Sequence, residues 1–172
     1  KIAEFDSPVV DMSVALDKSL WLITEDTLFL SENDEFKAVV GLPSETVCVA
    51  ALDNKAKYAE TVYVGSTVEG LLSMKGKRRH WAELLPDNTG VMSRKINCLQ
   101  IDALGHLWVG SDEGLNIYDG RNYWFNGNDF YSVPSGSFND MFFAADGKKY
   151  FATNTGLIIL VEGKISYFSY GA

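Results

Sequence analysis

Four aromatic residues, Trp21, Tyr63, Trp108 and Tyr150, recur with successive separations of 42, 45 and 42 residues. A period of that length belongs to propeller-blade repeats. The residues around each aromatic repeat as well. The four runs are Trp21-Leu-Ile-Thr24, Tyr63-Val-Gly-Ser66, Trp108-Val-Gly-Ser111 and Tyr150-Phe-Ala-Thr153, so a hydroxyl residue closes the segment every time. A leucine follows after a short turn, at Leu28, Leu71, Leu115 and Leu157, preceded by Gly in three copies and by Thr27 in the first. The Gly suits a turn that needs positive φ, and the Ser or Thr oxygen can accept a neighbouring backbone N–H.

Each aromatic lies on the second strand of a unit. Apolar runs at 9–16, 47–52, 96–101 and 138–145 supply the strand before it, and runs at 35–40, 79–84, 122–125 and 165–170 supply a fourth strand rich in aromatic or β-branched residues. We label the four strands of a unit a, b, c and d. The a–b turns at 17–19, 103–105 and 146–148 are short, and the one at 53–60 is longer. No segment keeps apolar residues at i, i+3, i+4 and i+7 over three turns, and only 81–85 hints at a helical turn. The expectation is an all-β protein, a β-propeller of about four four-stranded blades, either a closed four-blade ring or part of a larger one. Its units span approximately 7–40, 46–84, 96–126 and 137–170 of a single domain, 1–172. The first residues, Lys1-Ile-Ala-Glu-Phe-Asp6, resemble Lys164-Ile-Ser-Tyr-Phe-Ser169, so 1–6 are expected to form an extra outer strand. Surplus strand is what a cut through a longer array would leave.

Composition narrows the partners. Fifteen basic against twenty-three acidic residues give a net charge of −8, which disfavours nucleic acid and anionic membrane surfaces, since both reward phosphate neutralisation. No apolar run reaches the roughly 18 to 20 residues of a spanning helix, so no membrane insertion is expected. Cys48 and Cys98 occupy the same place in successive units and have no metal-ligand spacing. They read as two small core residues, with a bridge open to them only in an oxidising compartment. Neither a metal nor another cofactor is expected.

The run from Ile101 to Asp119, with Gly105, Leu107-Trp-Val-Gly-Ser111 and Gly114-Leu115, resembles the repeat of two-component regulator propellers, and 41–47 is similar to that family's linker into strand a. The match is specific in the third unit, fair in the second and fourth, and weak in the first. The resemblance implies a multi-bladed propeller, typically of seven blades, in the extracytoplasmic sensor region of a membrane histidine kinase, often one that senses polysaccharide. It therefore implies a periplasmic or extracellular location.

Residues repeated in every unit build blades; residues that differ between units are the candidates for recognition. In a propeller the b–c turns and d–a connections open on one face. The b–c turns carry Glu25-Asp26, Glu69 and Asp112-Glu113, an acidic rim, against neutral Asn154-Thr155 in the fourth unit. The connection 127–136 holds two aromatics among small polar residues, and loops on a rigid scaffold commonly carry recognition. For a glycan ligand, Phe130 and Tyr131 offer stacking faces while Asn128, Asp129, Asp112 and Glu113 offer hydroxyl partners. The alternative for 127–136 is a surface turn with its aromatics tucked against the blades. Lys77, Arg78 and Arg79 cluster at the c–d turn on the opposite face, either as a solvated hairpin tip or as a docking patch for an acidic partner.

Enzyme signatures are missing. His80 lies at the basic tip and His106 in an a–b turn, and no Ser sits in a nucleophile elbow. The expected function is a non-catalytic recognition or sensor module that binds a carbohydrate or protein partner. The alternatives are a scaffold that completes a larger propeller by homo-oligomerisation or by continuation of a longer chain, and a propeller carbohydrate-active enzyme.

Overall fold

A computed structural model describes residues 4–32, 35–54, 58–76, 79–84, 91–119, 124–126 and 135–169. Among these residues sixteen strands form four antiparallel sheets, each a simple meander. Blade 1 contains β1 (Val9–Val14), β2 (Leu20–Thr24), β3 (Thr27–Glu32) and β4 (Glu35–Gly41). Blade 2 contains β5 (Thr46–Asn54), β6 (Tyr58–Ser66), β7 (Leu71–Lys75) and β8 (Ala82–Leu84). Blade 3 contains β9 (Ile96–Ile101), β10 (Leu107–Ser111), β11 (Leu115–Tyr118) and β12 (Trp124–Asn126), and blade 4 contains β13 (Phe138–Phe143), β14 (Lys149–Thr153), β15 (Gly156–Val161) and β16 (Lys164–Ser169). The all-β propeller architecture read from the repeat is what the chain adopts.

Two local differences have physical causes. The long a–b turn expected at 53–60 is mostly strand, because β5 and β6 extend past their neighbours' ends and pair as far as Asn54 with Tyr58. The segment with the helical hint is the edge strand β8, paired to β7 through Ala82 and Ser73. Residues 1–3 lie outside the described residues, and 4–8 run without strand pairing. Phe5 instead lays its ring edge-on against Phe29 and Phe36 of blade 1, with centroids 5.2 and 5.4 Å apart.

The inner strands β1, β5, β9 and β13 pack side by side in that order. Near the start of each, the register against its b strand slips by one residue, between Val9 and Asp11, Thr46 and Cys48, Ile96 and Cys98, and Phe138 and Asp140. A bulge at the same place in every blade re-aims the next side chain, as bulges commonly do. Asp11, Cys48, Cys98 and Asp140 therefore hold one equivalent position, each facing the second residue after the repeating aromatic.

Hydrophobic cores lie between blades. Trp21, Ile23 and Leu28 of blade 1 meet Val49, Val62, Val64 and Leu72 of blade 2. Tyr63 and Leu71 of blade 2 meet Ile96, Leu99, Leu107 and Val109 of blade 3. Trp108, Leu115 and Ile117 of blade 3 meet Phe138, Met141, Phe151 and Ile158 of blade 4. In blades 1 to 3 the repeating aromatic faces the following blade. At the last junction Trp108 packs on Phe143 and Phe151, and the Lys149 ammonium stands 5.2 Å from its ring centroid. Among the described residues three cores join four blades, and no core joins blade 4 to blade 1. Among the described residues the four blades form an open arc.

Candidate functional site

Hydrogen bonds tie the d–a connections to the b–c turns and so define one loop face. Ser66 Oγ donates to Ser44 O (2.7 Å), Thr67 N donates to Glu45 O (3.1 Å), and Ser44 N donates to the Glu69 carboxylate (2.7 Å). In blade 3 Ser93 Oγ donates to Asp112 Oδ1 at 2.5 Å and Asp112 N to Lys95 O at 3.3 Å. In blade 4 Asn154 N donates to Ser137 O, and Ser137 N returns a bond to Asn154 Oδ1. In blade 1 Leu42 N donates to Asp26 O. Each turn is closed by its hydroxyl residue: Ser111 Oγ accepts from Glu113 N and Gly114 N and donates to Gly114 O, and Thr153 Oγ1 likewise donates to Gly156 O. The repeated Ser and Thr are thus turn-builders, while the acidic side chains between them are presented on the face.

Asp112 and Glu113 stand together at the tip of the β10–β11 turn, both exposed, with Asp112 held to the incoming connection by Ser93. Asn128, Asp129, Phe130 and Tyr131 lie outside the described residues. Lys77 and Arg78 also lie outside them, and the described part of that basic run, beginning at Arg79, stands at the opposite face. Arg79 adopts φ +46° and reaches back to blade 1, its Nη1 donating to Val39 O at 2.7 Å, with Trp81 Nε1 donating to Gly41 O at 2.8 Å. Arg79 thereby helps lock blade 2 to blade 1. His106 sits in the β9–β10 turn at that same end, its Nδ1 3.3 Å from Asp102 Oδ2. Asp102 is buried and accepts from Leu104 N, His106 N and Trp108 Nε1. That places this carboxylate and its histidine in turn formation, away from the loop face.

The sequence reading passed over the inner groove. The four a strands line a cavity of about 410 Å³ that includes Asp11, Ser13, Cys48, Asn97, Cys98, Gln100 and Asp140. Its polar groups largely serve the junctions. Asp11 Oδ2 accepts Val49 N across the blade 1–2 junction at 2.9 Å, and Ser13 Oγ accepts Ala51 N at 3.2 Å. Asn97 Nδ2 donates to Phe138 O and Ser137 Oγ across the blade 3–4 junction. The signal available in the sequence was a polar residue inside an otherwise apolar inner strand. Cys48 and Cys98 are free and buried. Desolvation pushes the Cys98 thiol up to about 12 and the Cys48 thiol well above its ordinary value, so neither supplies a ready thiolate.

Burial raises the Asp11 pKa above the ordinary carboxylate range, against the lowering effect of the N–H groups of Val49 and Met12, and nearby Asp140 adds to the rise. A raised carboxylate binds its proton more tightly folded than unfolded. Its contribution is therefore fully present below the unfolded pKa and is lost as pH rises through the folded one. Asp11→Asn keeps an amide oxygen for Val49 N and removes the titration. Urea denaturation midpoints across pH 3–8 are expected to fall less for the variant than for the wild type as pH rises through that window. Identical profiles would refute the assignment.

No protein-family model and no curated protein matches the chain. Solved structures do share its fold. Over 96% of its length it is similar to the extracellular domain of the hybrid two component system BT3049 from B. thetaiotaomicron, at 16% identity and a TM-score of 0.65, covering 25% of that chain. It is similar over 94% to the extracellular domain of the system BT4673 from the same organism, at 15% identity and a TM-score of 0.67, covering 22% of that chain. The computationally designed Ika4 protein aligns over 99% of this chain and 96% of its own, at 11% identity and a TM-score of 0.59. The chain thus spans about a quarter of the two ectodomain chains. Among the described residues no helix is long and apolar enough to cross a membrane, and no group of three or more His, Cys, Asp or Glu could hold a metal ion.

Proposed function

We propose that the chain is a non-catalytic recognition module of an extracytoplasmic sensor, of the two-component regulator propeller type, taking a glycan or protein ligand on its loop face. The observation that carries this reading is the cross-tied rim. Connections and turns are fixed to one another in every blade, and three blades carry carboxylates there, Asp26, Glu69, Asp112 and Glu113, where the fourth has Asn154. A rigid frame with variable polar tips lowers the ordering cost of binding. The sensor ectodomains that share the fold support the setting, and both histidines lie away from this face.

The glycan form is the more specific one. Carboxylates accept paired hydroxyl bonds, and Phe130 and Tyr131 on the adjoining connection would stack on sugar rings. Isothermal titration against a panel of neutral oligosaccharides is expected to find a ligand that Asp112→Asn combined with Glu113→Gln weakens by about tenfold or more, roughly one to two hydrogen bonds to charged groups. Lys75→Glu, exposed at the far end of β7, is expected to leave that affinity unchanged. Absence of binding across the panel at millimolar sugar, or a ligand indifferent to the rim variants, would refute the glycan reading.

A further inference from the structure

The two ends of the arc carry the two halves of one more blade junction. At the position that faces the preceding blade, Val49, Leu99 and Met141 are 2%, 7% and 7% exposed, whereas their counterpart in blade 1, Met12, is 66% exposed. At the position that faces the following blade, Leu28, Leu71 and Leu115 are at most 1% exposed, whereas their counterpart in blade 4, Leu157, is 39% exposed. Val14 on the first face and Phe142 and Phe168 on the last extend these open apolar surfaces. Phe5 covers only the outer part of the first face, over Phe29 and Phe36. Continuous exposed patches of this kind mark interaction sites.

Polar chemistry matches as well. Within the arc, Asp11 accepts the N–H of Val49 in the next blade. Asp140 holds the position of Asp11 in blade 4, and Met12 holds the position of Val49 in blade 1. In the arc the Asp140 side chain accepts from its own neighbour, Met141 N. A blade docked after blade 4 in the internal geometry would present its Val49-equivalent N–H to Asp140.

We infer that the occupant of both faces is a second copy of this chain. Two arcs related by a two-fold axis place blade 4 of each against blade 1 of the other, so both junctions form at once, eight blades close into a ring, and Asp140 of one copy accepts the Met12 N–H of the other. The fit to a second copy rests on the chain carrying both complementary faces in the register of its own three internal junctions. A head-to-tail contact that closes leaves no apolar end exposed, whereas one that does not close makes filaments.

Sedimentation and light scattering of the 172-residue chain test this. The expected mass is twice 19.0 kDa. Leu157→Asp and Met12→Asp are each expected to give monomers with an unchanged circular dichroism spectrum, while Leu104→Asp, in an exposed a–b turn away from both faces, keeps the dimer mass. Asp140→Ala removes no apolar surface and keeps the proposal testable should Leu157→Asp misfold. It is expected to raise the dimer dissociation constant by about 100-fold, one tenfold loss for each of two bonds to a charged acceptor. A monomeric wild type at tens of micromolar would overturn the inference, as expected if the faces serve further blades of a longer polypeptide. A ladder of higher masses, or a dimer indifferent to all three substitutions at the ends, would overturn it equally.

Discussion

Gly110→Val is expected to destabilise the protein by about 3 kcal/mol, at the upper end of overpacking costs, and to lower its melting temperature by roughly 10 °C for a chain of this size. The reason is proximity rather than backbone strain. A Cβ at Gly110 would stand 2.5 Å from Cys98 Sγ, 3.0 Å from Phe138 Cβ and 3.2 Å from Met141 Cε. The first is within its own sheet and the other two belong to the next blade, so the inner strand β13 would have to back away from β10. Gly65 stands in the same relation to Cys48 and Ile96 at the preceding junction. Gly41→Ala is the control, since its Cβ would meet nothing nearer than Asp26 O at 3.7 Å. Thermal denaturation of the two variants should separate them clearly. Hydrogen exchange should place the Gly110→Val damage in blades 3 and 4 and spare the junction of blades 1 and 2. Similar melting temperatures for both would mean that the inner strands tolerate separation.

Asp102→Ala carries the second large effect, about 3 kcal/mol by urea denaturation. One buried carboxylate accepts Leu104 N and His106 N at 2.9 Å each and Trp108 Nε1 at 3.0 Å. Removing it withdraws an acceptor from three donors, each bond worth about 1 kcal/mol. Asp102→Asn distinguishes this account from simple loss of charge. Its amide oxygen can still serve the two turn N–H groups, but its NH₂ would face the indole donor, so a loss of about half that of the alanine variant is expected. Equal losses would show that the charge matters more than the bonding pattern. The effect reaches the blade 3–4 core because the indole anchored by Asp102 packs against Phe143 and Phe151.

The blade architecture was legible because its marks are local. Trp21, Tyr63 and Trp108 each face the following blade, and the hydroxyl that closes each strand is engaged within its own turn. Short-range chemistry of that kind survives in the sequence as a pattern. That Asp11 and Asp140 share the position of Cys48 and Cys98 on the inner strands was not legible for the converse reason. A bulge just before each of the four shifts the alternation of the strand by one, so a period of two misassigns its facing. Arg79 is exposed, as its charge implies, but its bond to blade 1 was not legible because the partner, Val39 O, lies 40 residues away in another sheet. The repeat placed Asp112 and Glu113 in the β10–β11 turn, but the cross-ties of that turn were not legible because each joins a turn to a connection roughly 20 residues distant.

Packing confined to neighbouring blades also shapes how the molecule comes apart. Such an array behaves as a one-dimensional chain of units, each held by its own sheet and by nearest-neighbour interfaces. Blades 2 and 3 have a core on either side, while blades 1 and 4 have one each. Opening therefore starts at the ends and moves inward, and the central strands β6 and β10 are the last to lose cooperativity. A partner that seals the two end faces would do more than add contact area, because it would turn the two weakest units into interior ones and make the whole assembly unfold as a single event.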